Sequence, residues 1–146
     1  MKKLMLGILM MFGLVSTAYG EGVIETVQSK DNLSVASFAW TTNTYGSTTV
    51  TSAQSINGYI LMIETVPSST TPPTNAYDVS VTNSNGFEVI GDGDLQDRSL
   101  SATEVVMPIL NSDVVLFPNL GPLTIAIGNT GPEQEGVVNV YYRWDR

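Results

Sequence analysis

Histidine and cysteine are both absent from the 146 residues. The first absence removes the side chain most often used as a general base near neutral pH. The second removes thiol nucleophiles, disulfides and thiolate ligands. Together they exclude Cys–His and Ser–His catalytic pairs and zinc centres built on either residue. Positive charge is also scarce, with six Lys and Arg against 14 Asp and Glu and a net charge of −8. A surface this acidic repels phosphate backbones, which argues against a nucleic-acid partner, and it disfavours adsorption to anionic lipid. No G-x-S-x-G elbow, phosphate-binding loop or dinucleotide fingerprint occurs. A glycosidase needs only two carboxylates. Here, though, the carboxylates fall in loops and on outward strand positions, so the expectation is a protein that is not an enzyme.

What is present begins with a targeting pattern. Lys2 and Lys3 precede an apolar run, Leu4 to Val15, and the small residues Ser16, Ala18 and Gly20 follow. This is the layout of a secretory signal peptide over residues 1–20, cleaved before Tyr19 or Glu21. The run is short for a bilayer span. An uncleaved N-terminal anchor is the alternative. Cleavage leaves four cations, Lys30, Arg98, Arg143 and Arg146, against all 14 carboxylates. The expected location is therefore exported, periplasmic or extracellular, with no stable membrane insertion after cleavage.

From residue 21 onward the apolar period is two, with Asn, Gly and Pro every eight to twelve residues or so, the mark of an all-β sandwich or barrel. An apolar share of 42% with only 14% charged residues suits one folded domain, 21–146. Leu33 to Thr41 places Ala36, Phe38 and Trp40 on one face. Asn43 to Gly46 reads as a hairpin turn returning into Ser47–Gln54. Gly58 to Val66 is almost continuously apolar, so it is covered on both faces or carries a bulge. Pro67 to Asn75 is a loop. Ala76 to Asn83 turns Tyr77, Val79 and Val81 inward. Asn85-Gly86 is a strong hairpin signal, with Phe87 to Ile90 returning. Gly91 to Ala102 reads as a polar loop with a helical turn near Leu95 to Arg98. Pro108 interrupts Glu104–Leu110. Leu123, Ile125 and Ile127 alternate, and Val137 to Trp144 closes the domain with Val138, Val140, Tyr142 and Trp144 on one face. The expected architecture is an antiparallel β-sandwich, jelly-roll-like.

Two features bear on function. Asp92, Asp94 and Asp97 form the densest acidic cluster and are a weak calcium candidate, because calcium takes several oxygen ligands from flexible loops. The spacing departs from the EF-hand loop, and a solvated Asp/Gly turn explains the same residues. Glu133 and Glu135 join only if the fold brings the loops together. No other cofactor is expected. The aromatic residues Trp40, Tyr59, Tyr77, Phe87, Phe117, Tyr141, Tyr142 and Trp144 either fill the core or, where exposed, offer a platform for stacking sugars. Tyr141 and Tyr142 are adjacent on one strand and must point to opposite faces.

A resemblance runs through residues 38–142. It is carried by Tyr59-Ile-Leu-Met-Ile-Glu-Thr-Val-Pro67, Thr71-Pro-Pro-Thr-Asn-Ala-Tyr-Asp-Val-Ser-Val-Thr82, Asn85-Gly-Phe-Glu-Val-Ile-Gly-Asp92, Asp97-Arg98-Ser99 and Thr103-Glu104. In order and turn chemistry these segments resemble small β-rich proteins encoded among tailed-phage virion structural genes. The resemblance implies a non-catalytic virion-associated or decoration protein that works through self-association or protein partners. It carries over no active-site residues. Such proteins usually lack a signal peptide, so residues 1–20 set this chain apart. The alternative is a secreted bacterial surface sandwich that binds a carbohydrate or protein. If 137–144 is an open edge, it also offers strand addition to a partner.

Overall fold

The computed structural model describes residues 22–30, 32–91, 95–110 and 113–144. Residues 1–20, and with them the expected signal peptide, lie outside that range. Among the described residues eleven strands run in the order β1 (Gly22–Lys30), β2 (Leu33–Thr41), β3 (Thr48–Thr51), β4 (Gly58–Pro67), β5 (Asp78–Asn83), β6 (Glu104–Val106), β7 (Ile109–Leu110), β8 (Asp113–Val114), β9 (Phe117–Asn119), β10 (Leu123–Gly128) and β11 (Glu135–Arg143). Every pairing is antiparallel. The larger sheet has the order β1-β2-β11-β4-β6, and β9 also pairs with β4. The smaller sheet is β3-β10-β5, and β7 and β8 form a separate hairpin.

Alternation makes each sheet one-sided, and the two apolar sides meet. Ala36, Phe38 and Trp40 of β2 and Val138, Val140 and Tyr142 of β11 face Val79 and Val81 of β5 and Leu123, Ile125 and Ile127 of β10 in one buried cluster. The outcome is the all-β, sandwich-like fold expected. Each fully buried Val, Ile or Phe contributes about 1.5–3 kcal/mol relative to exposure. The indole of Trp40 and the ring of Tyr77 meet at 5.6 Å, inclined by 51°. They pack so closely under β11 that a Cβ on Gly136 would overlap the Trp40 indole and come within 2.8 Å of the Val66 carbonyl oxygen.

The continuous apolar run of β4 resolves as a bulge. Tyr141 pairs with Met62 but Tyr142 pairs with Ile60, so Leu61 is the extra residue. The extra residue shifts the alternation, which lets Ile60 and Ile63, three positions apart, both point into the core.

Three local expectations need correction, and one open point is decided. The Asn43–Gly46 turn forms, with the Gly46 N–H donating to the Asn43 carbonyl at 3.0 Å. It does not make a hairpin of β2 and β3, because β3 pairs with β10 and the chain crosses between sheets here. The Asn85-Gly86 turn also forms, yet Phe87–Ile90 returns through a single bridge, Thr82 to Glu88. The Glu88 carboxylate takes the place of a strand, accepting the Val81 N–H and the Ser80 hydroxyl, each at 2.8 Å. No helical turn occurs at 95–98: Leu95 is buried in the core, its carbonyl accepts the Val79 N–H, and Arg98 bridges to Tyr77. Finally, β11 lies between β2 and β4 and is not an open edge. Its side chains alternate apolar inward as expected, and an inner strand is the position where such a pattern buries most.

Candidate interaction surface

The calcium candidate divides. Asp92 and Asp94 lie outside the described residues. Asp97 is exposed with φ +51°, and its N–H donates to the Asp78 carboxylate at 3.1 Å. The second Asp78 oxygen accepts the Asn129 amide at 2.8 Å. Among the described residues no group of three or more acidic side chains is placed to hold a metal ion. Glu135 is drawn instead to Thr71, whose hydroxyl donates to its carboxylate at 2.5 Å.

The aromatic set divides as well. Trp40, Tyr77 and Tyr142 are core, whereas Phe87 is 65% exposed and Trp144 39%. Tyr141 and Tyr142 do face opposite ways. The Tyr141 hydroxyl donates to Glu64 on the outer face at 3.1 Å. Partial burial, and then the hydrogen bond and negative charge of Glu64, raise its pKa above the usual phenol value. Tyr77 is also raised, above all by burial. Its hydroxyl is buried beside Thr65, without a well-formed hydrogen bond to any of the described residues.

The surface feature that strand reading alone did not isolate is the outer edge of β4. β6 and β9 are two halves of one broken edge strand. Val106 pairs with Ile63 and Phe117 with Ile60. Only Leu61 and Met62 separate those pairings on β4, whereas residues 107–116, including the β7–β8 hairpin, intervene on the other side. The break falls at the Leu61 bulge. A bulge bends its strand and disturbs the neighbouring ladder, which is where an edge partner is most easily displaced.

The displaced segment is apolar and outside the core. Val105, Met107, Ile109, Val114 and Leu116 are all exposed, Val114 by 61%. Pro108, Ile109, Leu116 and Phe117 then close over Val89 and Ile90 to form a cleft of about 360 Å³. Glu88 lies at its rim, but its carboxylate is committed to β5. The signal was present in the sequence, since the alternation fails between Glu104 and Leu120 and apolar residues recur without a consistent inward phase. Scattered surface hydrophobes are normal, but here five exposed apolar residues recur within one short segment along one edge. Comparison with known proteins gives no match to the chain, whether among protein families, curated proteins or solved structures.

Proposed function

We propose that this chain is a non-catalytic structural module that assembles through the broken edge of its larger sheet, first of all with a second copy of itself. The observation that carries the reading is the recurrence of exposed apolar side chains, Val105, Met107, Ile109, Val114 and Leu116, along one sheet edge of a chain of net charge −8. Acidic charge keeps the rest of the surface soluble and free of non-specific contacts, which leaves this edge as the favoured place to dock. β6 presents an unpaired outer edge, so two copies can extend the sheet across a two-fold axis while burying the hairpin.

The resemblance to tailed-phage structural proteins supports an assembly of that type, with the module decorating or joining a larger particle. The chain changes sheet at every connection from β2 to β6 and on both sides of β10, which supports a jelly-roll-like reading of the sandwich. Residues 1–20 act as a signal peptide in this proposal. A prophage-derived exported protein, or one recruited by the host, accommodates both features.

Sedimentation velocity over a concentration series tests the assembly. The mature protein is expected to form dimers or larger species, and Ile109→Asp with Val114→Asp is expected to leave monomers. A wild-type protein that stays monomeric throughout overturns self-association. Mass spectrometry of particles, periplasm and medium tests export, with chains starting at Tyr19 or Glu21 expected outside the cytoplasm.

A further inference from the structure

At the end of the sandwich where β11 runs out, the chain builds a second cleft, of about 290 Å³. Gly58 and Tyr59 open β4 there, facing Pro118 and Asn119 of β9 on one side and Arg143 of β11 on the other. Gly58 has φ +135°, and a Cβ on it would run into the Arg143 carbonyl. That close approach sets Trp144, the next residue along, beside Tyr59 on the cleft wall. Asn57 and Leu120 complete the lining.

The Trp144 ring is locked in place. Its indole N–H donates to the hydroxyl of buried Ser34 at 3.0 Å, its main-chain N–H donates to the Asn32 carbonyl at 3.2 Å, and its ring leans on Tyr142 at 5.8 Å. It still leaves 39% of its surface exposed. The polar groups are equally fixed. Asn57 accepts the Gly121 N–H through Oδ1 at 2.8 Å, which leaves its amide Nδ2 without a partner among the described residues. The Tyr59 hydroxyl has no partner among them either. Buried Asn119 holds the floor, donating to the Ile56 and Gly121 carbonyls. The described lining holds no carboxylate and no cation.

We infer that this cleft is a binding site for a neutral carbohydrate. A pyranose has an apolar C–H face that packs on an aromatic ring and a rim of hydroxyls that seeks amides and phenols. A pre-oriented Trp, a Tyr and an unpaired amide around a small cleft supply both. An uncharged lining on a strongly acidic protein selects against anionic ligands, including phosphosugars and uronates. The volume accommodates a short stretch of sugar at the small end of ligand pockets, so the affinity falls near the millimolar range. Pro118 lines both this cleft and the one at the assembly edge, but Asn57, Tyr59 and Trp144 belong to this cleft alone.

The test is titration of the full mature protein with cello-, malto-, xylo- and manno-hexaose, followed by tryptophan emission and by isothermal calorimetry. Trp40 is buried, so the emission change reports Trp144. Saturable binding to at least one neutral hexasaccharide is expected, insensitive to salt. It should weaken about tenfold or more in Trp144→Ala and in Tyr59→Ala, while Phe87→Ala, exposed elsewhere, leaves it unchanged. Thermal melts of the same variants establish that they are folded. Asn57→Asp, which keeps the size and the Oδ1 acceptor but replaces the donor Nδ2 with a charged oxygen, provides a variant that does not truncate the core, and it too should weaken binding. Flat titrations with all four sugars overturn the proposal. So does binding that survives both Trp144→Ala and Tyr59→Ala.

Discussion

Two regions of this sandwich solve the problem of a strand end in opposite ways. At one end, the loops after β2, β4 and β10 are stitched into each other. The Thr42 hydroxyl lies 3.0 Å from that of Thr130, and Gln134 donates its N–H to Thr42 at 3.0 Å. Thr130 donates to the Gly46 carbonyl, Thr74 donates its N–H to Thr130, and Glu133 and Asn43 are joined through the backbone. Gly46 and Gly131, at φ +76° and +87°, approach so closely that a Cβ on Gly46 would lie 2.9 Å from the Gly131 backbone. Along the β4 edge, by contrast, the strand breaks and a hairpin of exposed apolar residues stands off the sheet. The first region uses polar side chains to satisfy backbone groups inside the molecule. The second leaves apolar side chains exposed among the described residues. On the proposed reading, stability and contact are assigned to separate parts of one small fold.

Substitutions can sharpen or break that division. The largest effect belongs to Gly136→Val, which drives a side chain into Trp40 and should cost about 3 kcal/mol or more, or prevent folding. Urea denaturation of purified protein measures it, and a loss below 1 kcal/mol or so would mean that the indole has room to move. Next is Thr42→Val, which strands the Gln134 N–H and removes the bond to Thr130. A loss of about 1–3 kcal/mol is expected from the same denaturation curves.

Tyr77→Phe should cost less than about 1 kcal/mol at neutral pH, because the hydroxyl it removes makes at most a weak contact with Thr65. Its effect appears in alkali. Burial raises the folded pKa of Tyr77 above 10.0, so the folded state holds a proton that the unfolded state releases. Stability is therefore complete below that pH and is lost as the pH rises through the folded value. Tyr77→Phe should flatten this alkaline fall, read as stability against pH with phenol ionisation followed by absorbance. An unchanged slope would assign the fall to other groups.

The smallest effect on stability is expected for Ile109→Asp and Val114→Asp, within about 1 kcal/mol, because both side chains are already about half exposed. These are the substitutions expected to abolish association. A large destabilisation would place the hairpin with the stitched end and remove the contrast.

Much of the strand content was legible because alternation is local. Ala36, Phe38 and Trp40 declare the inner face of β2, and Tyr77, Val79 and Val81 that of β5, from spacing alone. The uninterrupted apolar run of β4 left two options, cover on both faces or a bulge, and Asn85-Gly86 announced a turn. The candidate sites were less legible. Glu88 acts as a surrogate strand only because its carboxylate reaches the β5 edge. Tyr59 and Trp144 become neighbours only through the pairing of β4 with β11, far apart in the chain. Similarly, Asn43–Gly46 has the chemistry of a hairpin turn, but turn chemistry does not say which strand comes next in the sheet.

The sequence by itself determined the all-β character, the inward faces of the long strands and the lack of His- and Cys-based chemistry. Side-chain type and a period of two are properties of neighbouring residues. Tertiary structure alone decided that β11 is internal, that β3 joins the opposite sheet, and that the edge of β4 breaks at Leu61. It also decided that Trp144 stands beside Tyr59. Those outcomes depend on which distant backbones exchange hydrogen bonds, and many pairings satisfy the same local alternation equally well.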